Sequence, residues 1–316
     1  MKTVWVIGAG GMLGSALVRH CAAQGDRLFA PAERLDWSDR ARLLAGLQTN
    51  VSAFGRRVAA QPGPWEVYWA AGVGTMASPA EALVRETEAL AAFLDALAAN
   101  PDLAGTAGAI GFASSAGAIY AGATDDIISE TTPVAPTTPY ARAKLAQEDL
   151  VRGFAATRPG TRALLARIST LYGAGQAAGK QQGLLTHIAR SIVRHQPIQI
   201  FVPFDTIRDY LHAGDAAAHI AGVVRQSTAP QQLTKIVASE HPTTIAEIVA
   251  TFKRLARRSP HIVTSASQRA TLYTRRIQFR SKVPLAGPAL PATSLTVGIA
   301  QLLDAERARF THATRQ

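Results

Sequence analysis

Tyr140 and Lys144 stand four residues apart in the stretch PYARAKLAQED, directly after a proline. At that spacing two side chains lie one turn above each other on the same helix face. A phenol with an ordinary pKa of about 10 is a poor base at neutral pH, and a nearby ammonium lowers that pKa by favouring the phenolate. Such a pair suits proton transfer, from a substrate hydroxyl or to a carbonyl. The bland alternative is a surface helix with a tyrosine stacked on a lysine stem. The chain has six tyrosines, so chance pairs occur.

A second group with chemical meaning opens the chain. VIGAGGMLGSAL places Gly8, Gly11 and Gly14 at intervals of three, with Met12 and Leu13 between the last two. Gly8 allows a tight turn, Gly11 a close backbone approach to a pyrophosphate, and Gly14 tight helix–strand packing. The amides at the start of the following helix add donors and a partial positive charge. Dinucleotide binding is the expectation, and a glycine-rich turn without a ligand is the alternative.

These groups need elements to hold them. TVWVIGA (3–9), RLFAP (27–31), WEVYWAAG (65–72), AIGFASS (109–115) and RALLARIST (162–170) read as strands. Between them, 12–24, 38–47, 79–100 and a segment from Tyr140 to about Phe154 read as helices, with Ser38 as an N-cap. Such alternation predicts a doubly wound parallel α/β sheet covered on both faces. Residues 48–64 and 123–139 read as loops. Beyond residue 171 the alternation weakens, which predicts a smaller C-terminal lobe. The division expected is 1–170 for the nucleotide-binding domain and 171–316 mostly for substrate, with a return to the first domain around 205–240.

Composition narrows the class. The chain has 316 residues, 47% hydrophobic and 17% charged, as in globular proteins. No apolar run reaches the length of a membrane span, and the N-terminal apolar run breaks into glycines, so it reads as a buried strand and not a signal peptide. A single cysteine, Cys21, forbids a disulfide within the chain and is expected in the core. A cytoplasmic location is the resulting expectation. The net charge of +11 raises the question of nucleic acid, but no aromatics alternate with the arginines, and no nucleic-acid partner is expected. The histidines show no metal-site spacing, and no metal is expected.

The G-x-x-G-x-x-G turn resembles the extended short-chain dehydrogenase/reductase superfamily, specifically its NAD(P)-dependent sugar-nucleotide epimerase/dehydratase members. Further stretches continue the resemblance in order: FASSAGAIYAG (112–122), YARAK (140–144), RISTLYGAGQ (167–176), DTIRDYLHAGDAAAHI (205–220) and PATSLTVGIAQLL (291–303). The resemblance implies a Rossmann-type fold and a catalytic Ser/Tyr/Lys set. Here those residues are Ser115, Tyr140 and Lys144, with Ser114 in reserve as a substrate-side hydroxyl. It also implies that Lys144 holds the nicotinamide ribose. Tyr120 occupies the family's VYG tyrosine position and is expected to be structural or substrate-facing.

For the cofactor, the resemblance implies contacts from Gly8, Gly11, Met12, Leu13, Gly14, Tyr140 and Lys144, and from the turn Ala70, Ala71 and Gly72. After the second strand, Glu33 suits an NAD ribose and Arg34 a 2′-phosphate of NADP. Asp36 and Trp37 are placed beside adenine by the resemblance, whereas a loop-to-helix cap is the alternative for Asp36. The cofactor is NAD or NADP, with a slight lean to NADP. For the substrate, Arg208 matches the family's diphosphate arginine, although a salt bridge to Asp209 or Asp215 is the alternative. Thr170 stands where relatives carry a substrate-binding Asn.

Family dehydratases carry Asp-Glu straight after the catalytic Thr, and here Ala116 and Gly117 follow Ser115. Water elimination is therefore not expected. The expected activity is epimerisation or reduction of a nucleotide-linked sugar. The rivals are a reductase of a non-nucleotide carbonyl and a non-catalytic NAD(P) sensor. A homodimer is left open.

Overall fold

The computed structural model describes residues 1–61, 63–72, 74–175, 183–226, 230–257, 261–264, 276–284 and 292–313. Strand β1 (Thr3–Ile7) is buried at all five positions. Its side chains divide between two cores, as the two-residue strand period requires. Trp5 and Ile7 join one cluster, and Val4 and Val6 join the other.

The chain then alternates through α1 (Met12–Ala23), β2 (Arg27–Phe29), α2 (Arg40–Ala60), β3 (Trp65–Trp69), α3 (Ala80–Ala99), β4 (Gly108–Ser115), the short α4 (Ala116–Ile119), α5 (Pro139–Ala156) and β5 (Thr161–Ile168). The sheet order is β2-β1-β3-β4-β5 and then β9 (Gln232–Val237), and every pairing is parallel. The order reverses at β1, which has β2 on one side and β3 on the other. Crevices at the carboxyl ends of strands beside such a reversal are where open α/β sheets take ligands.

Helices α2, α3 and α5 cover one face, with Leu47, Phe54, Phe93, Leu97, Val151 and Phe154 around Trp5. Helices α1 and α7 (Ala213–Val224) cover the other, where Leu17, Cys21, Ala217 and Ile220 meet Val4, Val6 and Tyr68. Cys21 is fully buried and its thiol is pushed up to about 11 by burial.

One sequence expectation fails in this layer. Residues 48–64 are not a loop, because α2 runs on to Ala60. The polar run Gln48, Thr49, Asn50 and Ser52 hides an apolar face made by Leu43, Leu47, Val51, Phe54 and Val58. Asn100 stitches this face down by donating to the Val51 carbonyl at 3.1 Å. Gly55 permits the approach, since a Cβ there would lie 2.5 Å from Asn100 Oδ1. The cap also differs: Asp39, not Ser38, accepts from the Arg42 amide at 2.9 Å.

The remaining chain builds a second core. Strands β6 (Thr170–Tyr172), β8 (Ile207–His212) and β10 (Pro242–Thr244) form a three-stranded sheet in the order β10-β8-β6. Strands β7 (Ile198–Ile200) and β11 (Ile262–Thr264) pair in parallel. Helices α6 (Leu184–Val193), α8 (Ile245–Ala256) and α9 (Leu295–Ala313) pack around Tyr172, Tyr210, Ile188, Ile248 and Leu302. A capping box between Thr244 and Glu247 fixes the start of α8. Between 205 and 240, α7 and β9 lie on the main sheet, whereas β8 belongs to the three-stranded one. Among the described residues no helix is long and apolar enough to cross a membrane.

Candidate active site

The glycine turn follows β1 directly. Gly8 has a φ of +87°, and a Cβ there would come within 2.6 Å of the Ala71 amide nitrogen and 2.7 Å of the Ala70 carbonyl. The end of β3 therefore packs against bare backbone. A Cβ on Gly14 would collide with the Gly8 carbonyl oxygen, so helix and turn touch without side chains. Gly11 donates to that same oxygen at 2.9 Å, and a Cβ on Gly11 would sit 3.3 Å from it. Gly11 is also the N-cap of α1, and it offers no side chain to cap the helix. The amides of Met12 and Leu13 thus open the helix at a cradle of small residues. Such a cradle fits an anionic dinucleotide.

Tyr140 and Lys144 lie on the first two turns of α5. Thr138 caps that helix by accepting from the Ala141 amide at 3.2 Å, and Pro139 occupies its first position. Lys144 is 6% exposed. Its ammonium donates to Gln147 Oε1 at 3.1 Å and to the Ala113 carbonyl at 3.3 Å, and lies 5.9 Å from the Tyr140 ring centre. The expected drop in the tyrosine pKa does not appear. Burial, with the Glu86 carboxylate adding, pushes the Tyr140 phenol up to about 12, while a hydrogen bond with Ser115 acts in the opposite sense. The phenol is therefore protonated at neutral pH in the ligand-free chain.

Ser114 and Ser115 end β4 and face opposite sides. Ser115 is the hydroxyl beside Tyr140. Ser114 is 5% exposed and donates to Glu148 Oε1 at 2.6 Å. Glu148 also takes both arms of Arg167, whose other nitrogen donates to the Tyr120 hydroxyl at 2.6 Å. Burial pushes the Glu148 carboxyl up, but Arg167, Ser114 and Arg152 more than offset it and hold it below the usual range. Ser114 and Tyr120 thus brace β4, β5 and α5 from beneath.

Two residues that the sequence did not single out stand at this site. Glu86, on α3, accepts from the Gly74 amide at 2.6 Å, and a Cβ on Gly72 would sit 3.2 Å from its Oε2. It secures the turn after β3 and faces Tyr140. Gln147 shares the face of Lys144 at a spacing of three, which was the available signal. Nothing local marks Glu86, since it acts on the Gly74 amide in the turn before α3 and on Tyr140 of α5.

The loop after β2 carries three of the candidates, Arg34, Asp36 and Trp37. Arg34 is exposed. Asp36 accepts from both the amide and the hydroxyl of Ser38, at 3.0 and 2.5 Å, and those bonds lower its pKa. Asp36 thus closes its own turn, and the cap of α2 is Asp39. Trp37 packs edge-on against Trp69, with ring centres 6.3 Å apart, and stays 44% exposed.

On the substrate side, Thr170 pairs with Tyr210 across β6 and β8, so Thr170 and Arg208 lie on adjacent strands. Arg208 donates to the Ile207 carbonyl at 2.7 Å. The two candidate carboxylates have other partners. Asp209 accepts from the Ser169 hydroxyl at 2.6 Å and from Ser239, and Asp215 accepts from Thr293.

Residues 4–238 match the family model described as the NAD dependent epimerase/dehydratase family. The chain belongs to that family.

Among curated family relatives, a dTDP-4-dehydro-6-deoxyglucose reductase of Escherichia coli is 33% identical over 104 residues, which is 33% of this chain and 32% of the reductase. The match thus spans about a third of that relative's length. Among solved structures, MoeE5 in complex with UDP-glucose and NAD superposes with a TM-score of 0.78 at 20% identity, covering 98% of this chain and all of that one. RMD from Pseudomonas aeruginosa complexed with NADPH gives 0.75 at 21% identity, covering 98% of this chain and all of that one. Those likenesses establish the fold of the family.

Proposed function

We propose that this chain is an NAD(P)-dependent enzyme that reduces or epimerises a nucleotide-linked sugar, using Ser115, Tyr140 and Lys144. The Tyr140 phenol hydrogen-bonded with Ser115 at the carboxyl end of β4, with the Lys144 ammonium 5.9 Å from its ring centre, carries the reading. In reduction this phenol gives its proton to a carbonyl oxygen, and in epimerisation the same group first takes a proton from a sugar hydroxyl.

Gly8, Gly11, Met12, Leu13 and Gly14, with Ala70, Ala71 and Gly72, would hold the dinucleotide. A bound reduced nicotinamide supplies the hydride. Tyr140 donates its proton to the substrate oxygen, and Ser115 donates a hydrogen bond to the same oxygen and steadies the charge that develops there. Lys144 holds the cofactor ribose and, by its charge, stabilises the phenolate left after the transfer. Ala116 and Gly117 offer no acid/base pair for removing water, so elimination is not part of this reading. Arg34, exposed after β2, suits a 2′-phosphate, which favours NADP. Arg208 is the candidate for the substrate diphosphate.

The test is a panel of UDP- and dTDP-linked sugars and 4-keto sugars with NADH and NADPH, followed by nicotinamide absorbance and product NMR. Conversion of one nucleotide sugar is the expected result, with net oxidation of the nicotinamide marking reduction and its absence marking epimerisation. If no nucleoside diphosphate binds even at millimolar concentration, a non-nucleotide carbonyl becomes the substrate class.

A further inference from the structure

The buried amide of Gln147 has only one orientation that its neighbours accept. Thr87, on α3, donates its hydroxyl proton to the Leu83 carbonyl at 3.0 Å. Its oxygen is then an acceptor for Gln147 Nε2, at 3.1 Å. That turns Gln147 Oε1 toward Lys144, whose ammonium donates to it at 3.1 Å. The flipped amide would set NH2 against an ammonium, donor against donor. Gln147 is 2% exposed and Lys144 6%, so water does not replace this contact freely. Donation runs in one direction, from the Lys144 ammonium through Gln147 and Thr87 to the Leu83 carbonyl on α3. The Ala113 carbonyl, at the end of β4, takes a second bond from the same nitrogen.

We propose that Gln147 and Thr87 are positioning residues that fix the ammonium of Lys144 for the nicotinamide cofactor. The proposal rests on the reading of Lys144 as the cofactor-holding lysine. A long lysine has many rotamers, and each must be given up when it grips a ribose. An ammonium already held by Gln147 and Ala113 has given them up before the ligand arrives. Neither Gln147 nor Thr87 carries charge, so the pair orients Lys144 without competing for its charge as a carboxylate would.

The experiment measures NADH and NADPH affinity by nicotinamide fluorescence for the full chain and four single variants, with melting temperature as a control. Lys144→Met sets the reference loss. Gln147→Leu and Thr87→Val are each expected to weaken binding about tenfold, the scale of one hydrogen bond to a charged group. Thr87→Ser, which keeps the hydroxyl, is expected to recover most of the loss seen in Thr87→Val. The double variant Gln147→Leu/Lys144→Met is expected to bind no worse than Lys144→Met, because Gln147 acts only through Lys144. Thr87→Val is isosteric and serves if Gln147→Leu does not fold. If Lys144→Met weakens binding and neither Gln147→Leu nor Thr87→Val does, the positioning role is overturned and the lysine reading stands. If Lys144→Met leaves affinity unchanged, both are overturned.

Discussion

Glu148 and Arg167 meet through two parallel contacts, Nε to Oε1 at 2.9 Å and Nη2 to Oε2 at 2.7 Å, directly beneath the strand that ends in Ser115. Both side chains are almost wholly buried. The pair ties α5, which carries Tyr140 and Lys144, to β5, and through Ser114 to β4. The fold thereby places its candidate catalytic groups on a rigid frame.

Arg167→Met should therefore be severely destabilising. It leaves a buried carboxylate with its main partner gone, which costs about 3–5 kcal/mol. Urea unfolding of the variant against the parent measures the loss. The same pair predicts a pH dependence. Glu148 titrates below its ordinary value of 4.5 when folded, so the unfolded chain takes up the proton first. The stabilisation is present above pH 4.5 and is lost as pH falls through the lower, folded value. Arg167→Met should lose that part of the acid sensitivity.

The glycines of the first turn should separate stability from binding. Gly14→Ala places a methyl on the Gly8 carbonyl and should lower the melting temperature sharply. Gly11→Val meets that oxygen at 3.3 Å, so the backbone accommodates its Cβ with a small shift. Its branched side chain should chiefly obstruct the pyrophosphate, weakening NADH and NADPH binding at least tenfold (about 1.4 kcal/mol) in a folded protein. Melting curves and fluorescence titrations together make the comparison.

Much of this arrangement is legible in the sequence because it is local. The apolar runs of β1, β3, β4 and β5, the glycine spacing and the Tyr140–Lys144 interval all lie within a few residues. The second half of α2 is not legible, because its polar residues read as a loop until Asn100 and the sheet supply the burial. Ser114 and Ser115 are adjacent and chemically identical, and only Glu148, more than thirty residues on, separates their roles. Glu86, Thr87 and Gln147 act across the α3–α5 contact, a pairing no local pattern records. The expected fall in the Tyr140 pKa fails for a related reason. Burial and a distant carboxylate outweigh what the helix spacing suggests.

Glu86→Gln removes a charge that helps hold the Tyr140 phenol high. The tyrosine should then ionise at lower pH than in the parent. Because carbonyl reduction needs the protonated phenol, the alkaline limb of the pH–rate profile should shift in the same direction. Ultraviolet titration of the phenolate, compared with a Tyr140→Phe control, reads the shift without any substrate. An unchanged or raised value would remove Glu86 from the electrostatics of the site.

Arg208→Ala should weaken binding of UDP and of a UDP-sugar by similar factors, since both present the same phosphates. A charge-assisted bidentate contact implies a loss of about 1.5–3 kcal/mol. Arg208→Lys should restore part of it, because an ammonium keeps the charge without the fork. Calorimetry with UDP alone decides the point, and NADPH affinity should stay within twofold (about 0.4 kcal/mol) in both variants.

The most direct measurement compares Tyr140→Phe with the parent for both NADPH affinity and turnover of whichever nucleotide sugar the panel identifies. Losing only the phenolic proton should leave cofactor affinity nearly intact while turnover falls at least a hundredfold (about 2.7 kcal/mol), the usual scale of general acid catalysis. Turnover close to that of the parent in a folded Tyr140→Phe chain would contradict the account.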